Sequence, residues 1–134
     1  MSEPHILIVD DDTVLLQALP AFLRLRMGTV KIDTCDSALE ALSQIAAWDY
    51  DAIISDIKMP GMDGLSLMAE VRLLRPNTPT LLITGHGEHD LAVRALQGGA
   101  YAFIQKPIDR DSFMVSLIGA IQKRQLSRDT ERGS

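Results

Sequence analysis

Five apolar runs of strand length alternate with five segments of helical periodicity, and this alternation limits the folds open to the chain more than any other feature. Strands separated by helices run parallel, because each helix carries the chain back across the sheet and covers one of its faces. Apolar, β-branched runs predict strands near 5–9, 29–34, 51–55, 80–84 and 101–105. A period of 3.6 predicts helices near 13–26, 37–47, 64–74, 88–97 and 110–125. Asp36 and Ser37 precede the stripe Ala38, Leu39, Ala41, Leu42 and Ile45 as a cap would, and Asp63 is placed to cap the third helix. Gly98-Gly99 closes the fourth helical pattern. Pro20 sits inside the first one, so a kink or break is expected there, as a local distortion and not a boundary. After Leu126 the apolar period is lost, which predicts one domain over residues 1–126 and a frayed tail or truncated linker over 127–134.

Length and charge exclude several classes of function. A chain of 134 residues buries one core, not two. No apolar stretch is long enough to span a bilayer and no signal-peptide profile opens the chain, so a cytoplasmic protein is expected. The single cysteine, Cys35, cannot form an internal disulfide and reads as a small packing residue. A net charge of −5 opposes nucleic-acid binding by this chain, because such binding neutralises phosphates with Lys and Arg.

The chemistry collects where strands end. Ile6-Leu7-Ile8-Val9 runs into Asp10-Asp11-Asp12, Ala52-Ile53-Ile54-Ser55 into Asp56, Thr80-Leu81-Leu82-Ile83 into Thr84, and Tyr101-Ala102-Phe103-Ile104-Gln105 into Lys106-Pro107. In an open α/β sheet these ends share the carboxyl edge, where ligands bind. Asp56 is already ionised at neutral pH, so it can attack phosphorus without a general base, and the resulting acyl phosphate hydrolyses readily. Carboxylates about 5 Å apart repel by roughly 3 kcal/mol per pair at an effective dielectric of 20, so Asp10, Asp11 and Asp56 call for a cation, and magnesium suits hard oxygen ligands. Asp12 fits the start of the first helix, where the helix dipole favours negative charge. Lys106 supplies a counter-charge to phosphoryl oxygens, with Pro107 biasing it toward extended backbone. Thr84 offers a hydroxyl to an added phosphoryl group.

Taken in order and spacing, these residues resemble the receiver domain of two-component response regulators over roughly Ile6 to Ile121. The stretches Ile83-Thr84-Gly85-His86-Gly87-Glu88 and Gly98-Gly99-Ala100-Tyr101-Ala102-Phe103-Ile104 are most similar to receivers of NtrC-like and dicarboxylate-transport transcription activators. The resemblance implies a flavodoxin-like sheet of order 2-1-3-4-5. It implies phosphoryl transfer from a histidine kinase to Asp56, with magnesium held by Asp11, Asp56 and the Lys58 carbonyl and with Asp10 acting mostly through water. It further implies that Thr84 and an aromatic, here Phe103 in place of the usual tyrosine, respond to the phosphoryl group together with Lys106. Phe103 reads equally as a core aromatic. Lys58 and His86 are placed to tune the lifetime of the phosphate. An effector module is expected outside this chain, and apolar residues along the last helix suggest a homodimer.

Three other readings compete. Asp10-Asp11-Asp12-Thr13-Val14 is similar to the opening of haloacid-dehalogenase-like phosphatases, in which Asp10 would be the nucleophile and Asp12 the acid; that reading leaves Asp56 unexplained. A flavin-binding module of this architecture lacks its phosphate loop after the first strand. A purely structural domain leaves the clustered acids without a cause.

Overall fold

The computed structural model describes residues 3–85 and 89–133. Among them, strands β1 (His5–Val9), β2 (Lys31–Cys35), β3 (Ala52–Asp56), β4 (Thr80–Thr84) and β5 (Ala102–Gln105) alternate with helices α1 (Thr13–Met27), α2 (Ala38–Ala47), α3 (Gly64–Leu74), α4 (His89–Gln97) and α5 (Arg110–Gly133). Every strand pair is parallel, as the alternation predicts, and the order is β2-β1-β3-β4-β5, as the resemblance to receiver domains implies.

Side-chain alternation along the strands divides the core into two faces. Ile6 and Ile8 of β1, Ile54 of β3 and Ile83 of β4 pack with Leu19 and Leu23 of α1 and with Phe113, Met114 and Leu117 of α5. Leu7, Val9 and Ile53 point the other way, onto Ala41 and Ile45 of α2 and Leu67 and Val71 of α3. Beyond them Leu82 meets Met68 of α3 and Ala95 of α4. β3 and β4 are buried along their whole length, which explains why their sequences are continuous apolar runs. Burial also pushes the Cys35 thiol up to about 12, as expected of a packing residue with no thiolate chemistry.

Helix starts follow the expected caps. Asp12 accepts from the backbone N–H of Val14 at 2.9 Å, the Ser37 hydroxyl from Glu40 at 3.2 Å and Asp63 from Ser66 at 2.8 Å. α1 continues through Pro20, so the residue is not a boundary; it is buried, and tertiary packing retains a residue that a free helix interior rejects by about 3 kcal/mol. One expectation fails. α5 does not end with its apolar stripe near residue 125 but continues to Gly133, so the frayed tail is helix.

Ionic contacts explain that extension. Arg124, only 7 % exposed, donates to both carboxylate oxygens of Asp49 at 3.2 Å and to the Ser127 hydroxyl at 2.8 Å. Arg128 binds the Asp49 and Asp51 carboxylates and the carbonyls of Asp49 and Tyr50, while Asn77 holds Glu131 at 2.8 Å. Burial alone would raise the Asp49 carboxyl; the Arg128 and Arg124 guanidiniums hold it below the ordinary carboxylate range. Arg124→Ala is expected to lower stability by about 2 kcal/mol, less than a fully buried pair would lose because Asp49 keeps Arg128. Urea unfolding measures that loss, and hydrogen exchange should quicken in the amides after residue 124.

Candidate functional site

Three strand ends converge at the carboxyl edge of the sheet. Asp10 follows β1 and continues its pairing, its N–H donating to the Cys35 carbonyl at 3.1 Å. The chain then turns sharply: the Asp12 N–H donates to Asp10 Oδ1 at 2.8 Å, and the Asp12 carboxylate turns away to cap α1. Asp56 is the last residue of β3, one position further into the strand than the sequence indicated, and Ile57 carries the pairing on by donating to the Ile83 carbonyl at 3.0 Å. Neighbouring strands in register therefore place Asp10, Asp11 and Asp56 together, with carboxylate oxygens all within 4.8 Å of one another. Asp10 is fully buried, Asp56 is 8 % exposed and Asp11 faces solvent.

Lys106 reaches this cluster from β5. Its Nζ lies 3.3 Å from Asp56 Oδ2, and its backbone N–H donates to the Thr84 carbonyl at 2.8 Å. The Lys58 N–H approaches Asp56 Oδ1 at 3.4 Å, so the two carboxylate oxygens face different donors. Burial would lower the Lys106 ammonium, but the Asp56 and Asp10 charges hold it above the ordinary lysine value, so it stays cationic. Asp10 moves the opposite way to its neighbour's need. Burial first, opposed by the Asp12 N–H and reinforced by the charge of Asp56, pushes its carboxyl up to about 6.

A divalent cation fits this arrangement. At the observed separation each ionised pair repels by about 3 kcal/mol at an effective dielectric near 20. Asp10 Oδ2 is buried and has no hydrogen-bond partner among the described residues, which leaves a lone-pair donor directed at nothing in the protein. Hard carboxylate oxygens with one member open to solvent are the donor set of an ion that retains water.

Of the other expected residues, Thr84 ends β4 and is buried, one strand from Asp56. Phe103 pairs across from Leu82 and is 39 % exposed, so it is not a core aromatic and lies on the outer part of β5. His86 lies outside the described residues. Two features escaped the sequence. The Lys106-Pro107 peptide is cis, for which the X-Pro pair was the only available signal. Gly64 is needed for close approach, since a Cβ there would come within 2.3 Å of the Asp56 carbonyl oxygen. Gly64 N–H also donates to the Ile57 carbonyl at 2.7 Å, so the start of α3 is pressed against the strand end that carries Asp56.

Residues 6–118 match the family described as "Response regulator receiver domain". This chain belongs to that family. The receiver is 43 % identical over 123 residues to the C4-dicarboxylate transport transcriptional regulatory protein DctD of Rhizobium meliloti, covering 92 % of this chain and 26 % of that protein. It is 34 % identical over 127 residues to the DNA-binding transcriptional regulator NtrC of Salmonella typhimurium, covering 92 % and 27 %. The receiver thus spans about a quarter of the length of these relatives. Among solved structures, the beryllofluoride-activated NtrC4 receiver domain dimer superimposes with a TM-score of 0.81 at 30 % identity, covering 90 % of this chain and 98 % of that one. A structure described as adenylate cyclase from Rhodopirellula baltica gives a TM-score of 0.88 at 31 % identity, covering 98 % and 96 %. The acidic triad is typical of the phosphoacceptor site of a receiver, a signalling module rather than a conventional enzyme.

Proposed function

We propose that Asp56 accepts a phosphoryl group from the phosphohistidine of a sensor histidine kinase, and that the receiver relays this event through the surface of α4, β5 and α5. The observation that carries this reading is the convergence of three carboxylates within 4.8 Å with Lys106 Nζ 3.3 Å from Asp56. An Asp56 oxygen attacks phosphorus; its bond to phosphorus forms as the donor's phosphorus–nitrogen bond breaks, and the electron pair stays on the imidazole, which takes up a proton. Lys106 offers its ammonium to the phosphoryl oxygens, and the Lys58 N–H steadies the second carboxylate oxygen. Magnesium, held by Asp10, Asp11, Asp56 and the Lys58 carbonyl, would supply positive charge to offset that of the carboxylates and the incoming group. Asp10 as the nucleophile of a phosphatase is opposed by its complete burial and by the use of Asp12 as a helix cap.

The product gains about −1.5 to −2 charges and three acceptor oxygens beside Thr84 and Lys106. Thr84 turns its hydroxyl toward them, and Phe103, on the next strand, moves from its half-exposed position. Lys58, and His86 two positions after Thr84 in the sequence, set how long the phosphate lasts. A small energy gap between two conformations lets this local change shift the population of an output surface. That surface is already apolar: Val93, Leu96, Tyr101, Phe103, Val115 and Ile118 are exposed. We assign to it a homodimer contact strengthened by phosphorylation and, through an effector module outside this chain, control of transcription. No helix among the described residues is long and apolar enough to cross a membrane, in keeping with a cytoplasmic site of action. Incubation with magnesium and a small phosphodonor, followed by peptide mapping, is expected to place the phosphoryl on Asp56; a phosphoryl on Asp10 would favour the phosphatase reading. Sedimentation velocity should show more dimer after phosphorylation, and monomers in both states would discard the dimer.

A further inference from the structure

A cavity of about 460 Å³ lies at the opposite edge of the sheet from the acidic triad, between the end of α3, the approach to β4, the loop before β5 and α5. Its polar lining includes Arg72, Asn77, Thr78, Tyr101, Lys123 and Ser127, and no Asp or Glu lines it. In a chain of net charge −5 that is a local reversal of sign. Among the described residues neither Arg72 nor Lys123 forms an ion pair. Arg72 uses one N–H on the Gly98 carbonyl at 3.0 Å, and Lys123 Nζ lies 5.8 Å from the centre of the Tyr101 ring. Glu131, which Asn77 binds at 2.8 Å, is shared with Arg124 at 3.4 Å.

Two glycines make room for the lining. A Cβ on Gly99, whose φ of +102° also disfavours any side chain, would fall 1.3 Å from Arg72 Nη1, and a Cβ on Gly119 would fall 2.6 Å from the Tyr101 hydroxyl. Thr78 is 7 % exposed, and its buried hydroxyl has no hydrogen-bond partner among the described residues. A buried hydroxyl without a partner and two cations without an ion pair among the described residues line one cavity, an arrangement that a ligand rich in acceptors completes.

We propose that this cavity binds a small oxyanion of the phosphate type, held by Arg72 and Lys123 with the Thr78 and Tyr101 hydroxyls as further donors. The site is independent of phosphoryl transfer at Asp56, which lies at the other end of the strands. The test is titration with inorganic phosphate, followed by amide NMR at constant ionic strength and with EDTA present, where the uncompensated acids of the triad repel the ion. Saturable shifts confined to residues 77–80 and 98–101 are expected, and Lys123→Gln should weaken the apparent affinity about tenfold, the loss of one charge-assisted hydrogen bond. Thr78→Val is expected to raise the melting temperature of the free protein while weakening phosphate binding, a pairing that separates a ligand donor from a residue that only supports the fold. Shifts that never saturate, or a titration unchanged in the Arg72→Gln/Lys123→Gln double variant, would overturn the site.

Discussion

Asp56→Asn is expected to reduce phosphoryl incorporation by at least about a thousandfold, equivalent to roughly 4 kcal/mol of activation free energy, while leaving the fold intact. An amide is nearly the same size as the carboxylate but offers no ionised oxygen to attack phosphorus. The two oxygens of Asp56 also have different neighbours, Lys106 Nζ at 3.3 Å and the Lys58 N–H at 3.4 Å, so the substitution places an amide group where one of those donors now points. Intact-mass measurement after exposure to magnesium and a small phosphodonor gives the result directly. Retention of the label at near wild-type extent would show that another group is the acceptor and would remove the central reading. Lys106→Ala offers a contrast, because it leaves the nucleophile in place and removes only the charge that meets the phosphoryl oxygens.

Asp10→Asn is expected to make the metal-free protein more stable near neutral pH, although it removes a proposed metal ligand. The Asp10 carboxyl rises from 3.8 to about 6 on folding. A group whose folded pKa is raised favours the fold below its unfolded value and loses that contribution as pH climbs through the folded one. Asp10 therefore costs about 3 kcal/mol once it is ionised in both states, above about pH 6. Asparagine carries no such penalty and can still accept from the Asp12 N–H. Urea unfolding in EDTA should show wild-type stability declining between about pH 4 and 6 from this group, with the variant lacking that decline. Magnesium should reverse the ranking, stabilising the wild type by RT ln(1 + [L]/Kd) and the variant far less. A variant no more stable than wild type in EDTA would mean that the buried carboxylate is not the unfavourable element described.

The two experiments probe opposite sides of one design. Asp56 is the proposed acceptor and keeps 8 % of its surface exposed, whereas Asp10 is fully buried, which makes its charge costly. On the proposed reading a cation would relieve that cost and create the place for phosphate, so local instability would serve function.

Much of this was legible in the residues alone. Strand and helix alternation with period-specific apolar patterns determined a five-stranded parallel architecture, because each pattern buries only one way. The acids after the first and third strands, Thr84 after the fourth and Lys106 after the fifth pointed to one edge, and the structure brings the acids and Lys106 together there, since parallel strands end on the same side. Asp12, Ser37 and Asp63 were readable as caps because capping is a contact between near neighbours in sequence. What the sequence could not determine depends on partners far along the chain. Residues 127–133 stay helical because Arg124 and Arg128 find Asp49 and Asp51 across more than 70 positions. Phe103 proved exposed because β5 is the edge strand, and Gly64 leaves no room for a Cβ because the start of α3 meets the backbone of Asp56. Local periodicity and strand-end chemistry are properties of short segments and can be read from them; burial, ion pairing and close backbone approach exist only once distant segments have met.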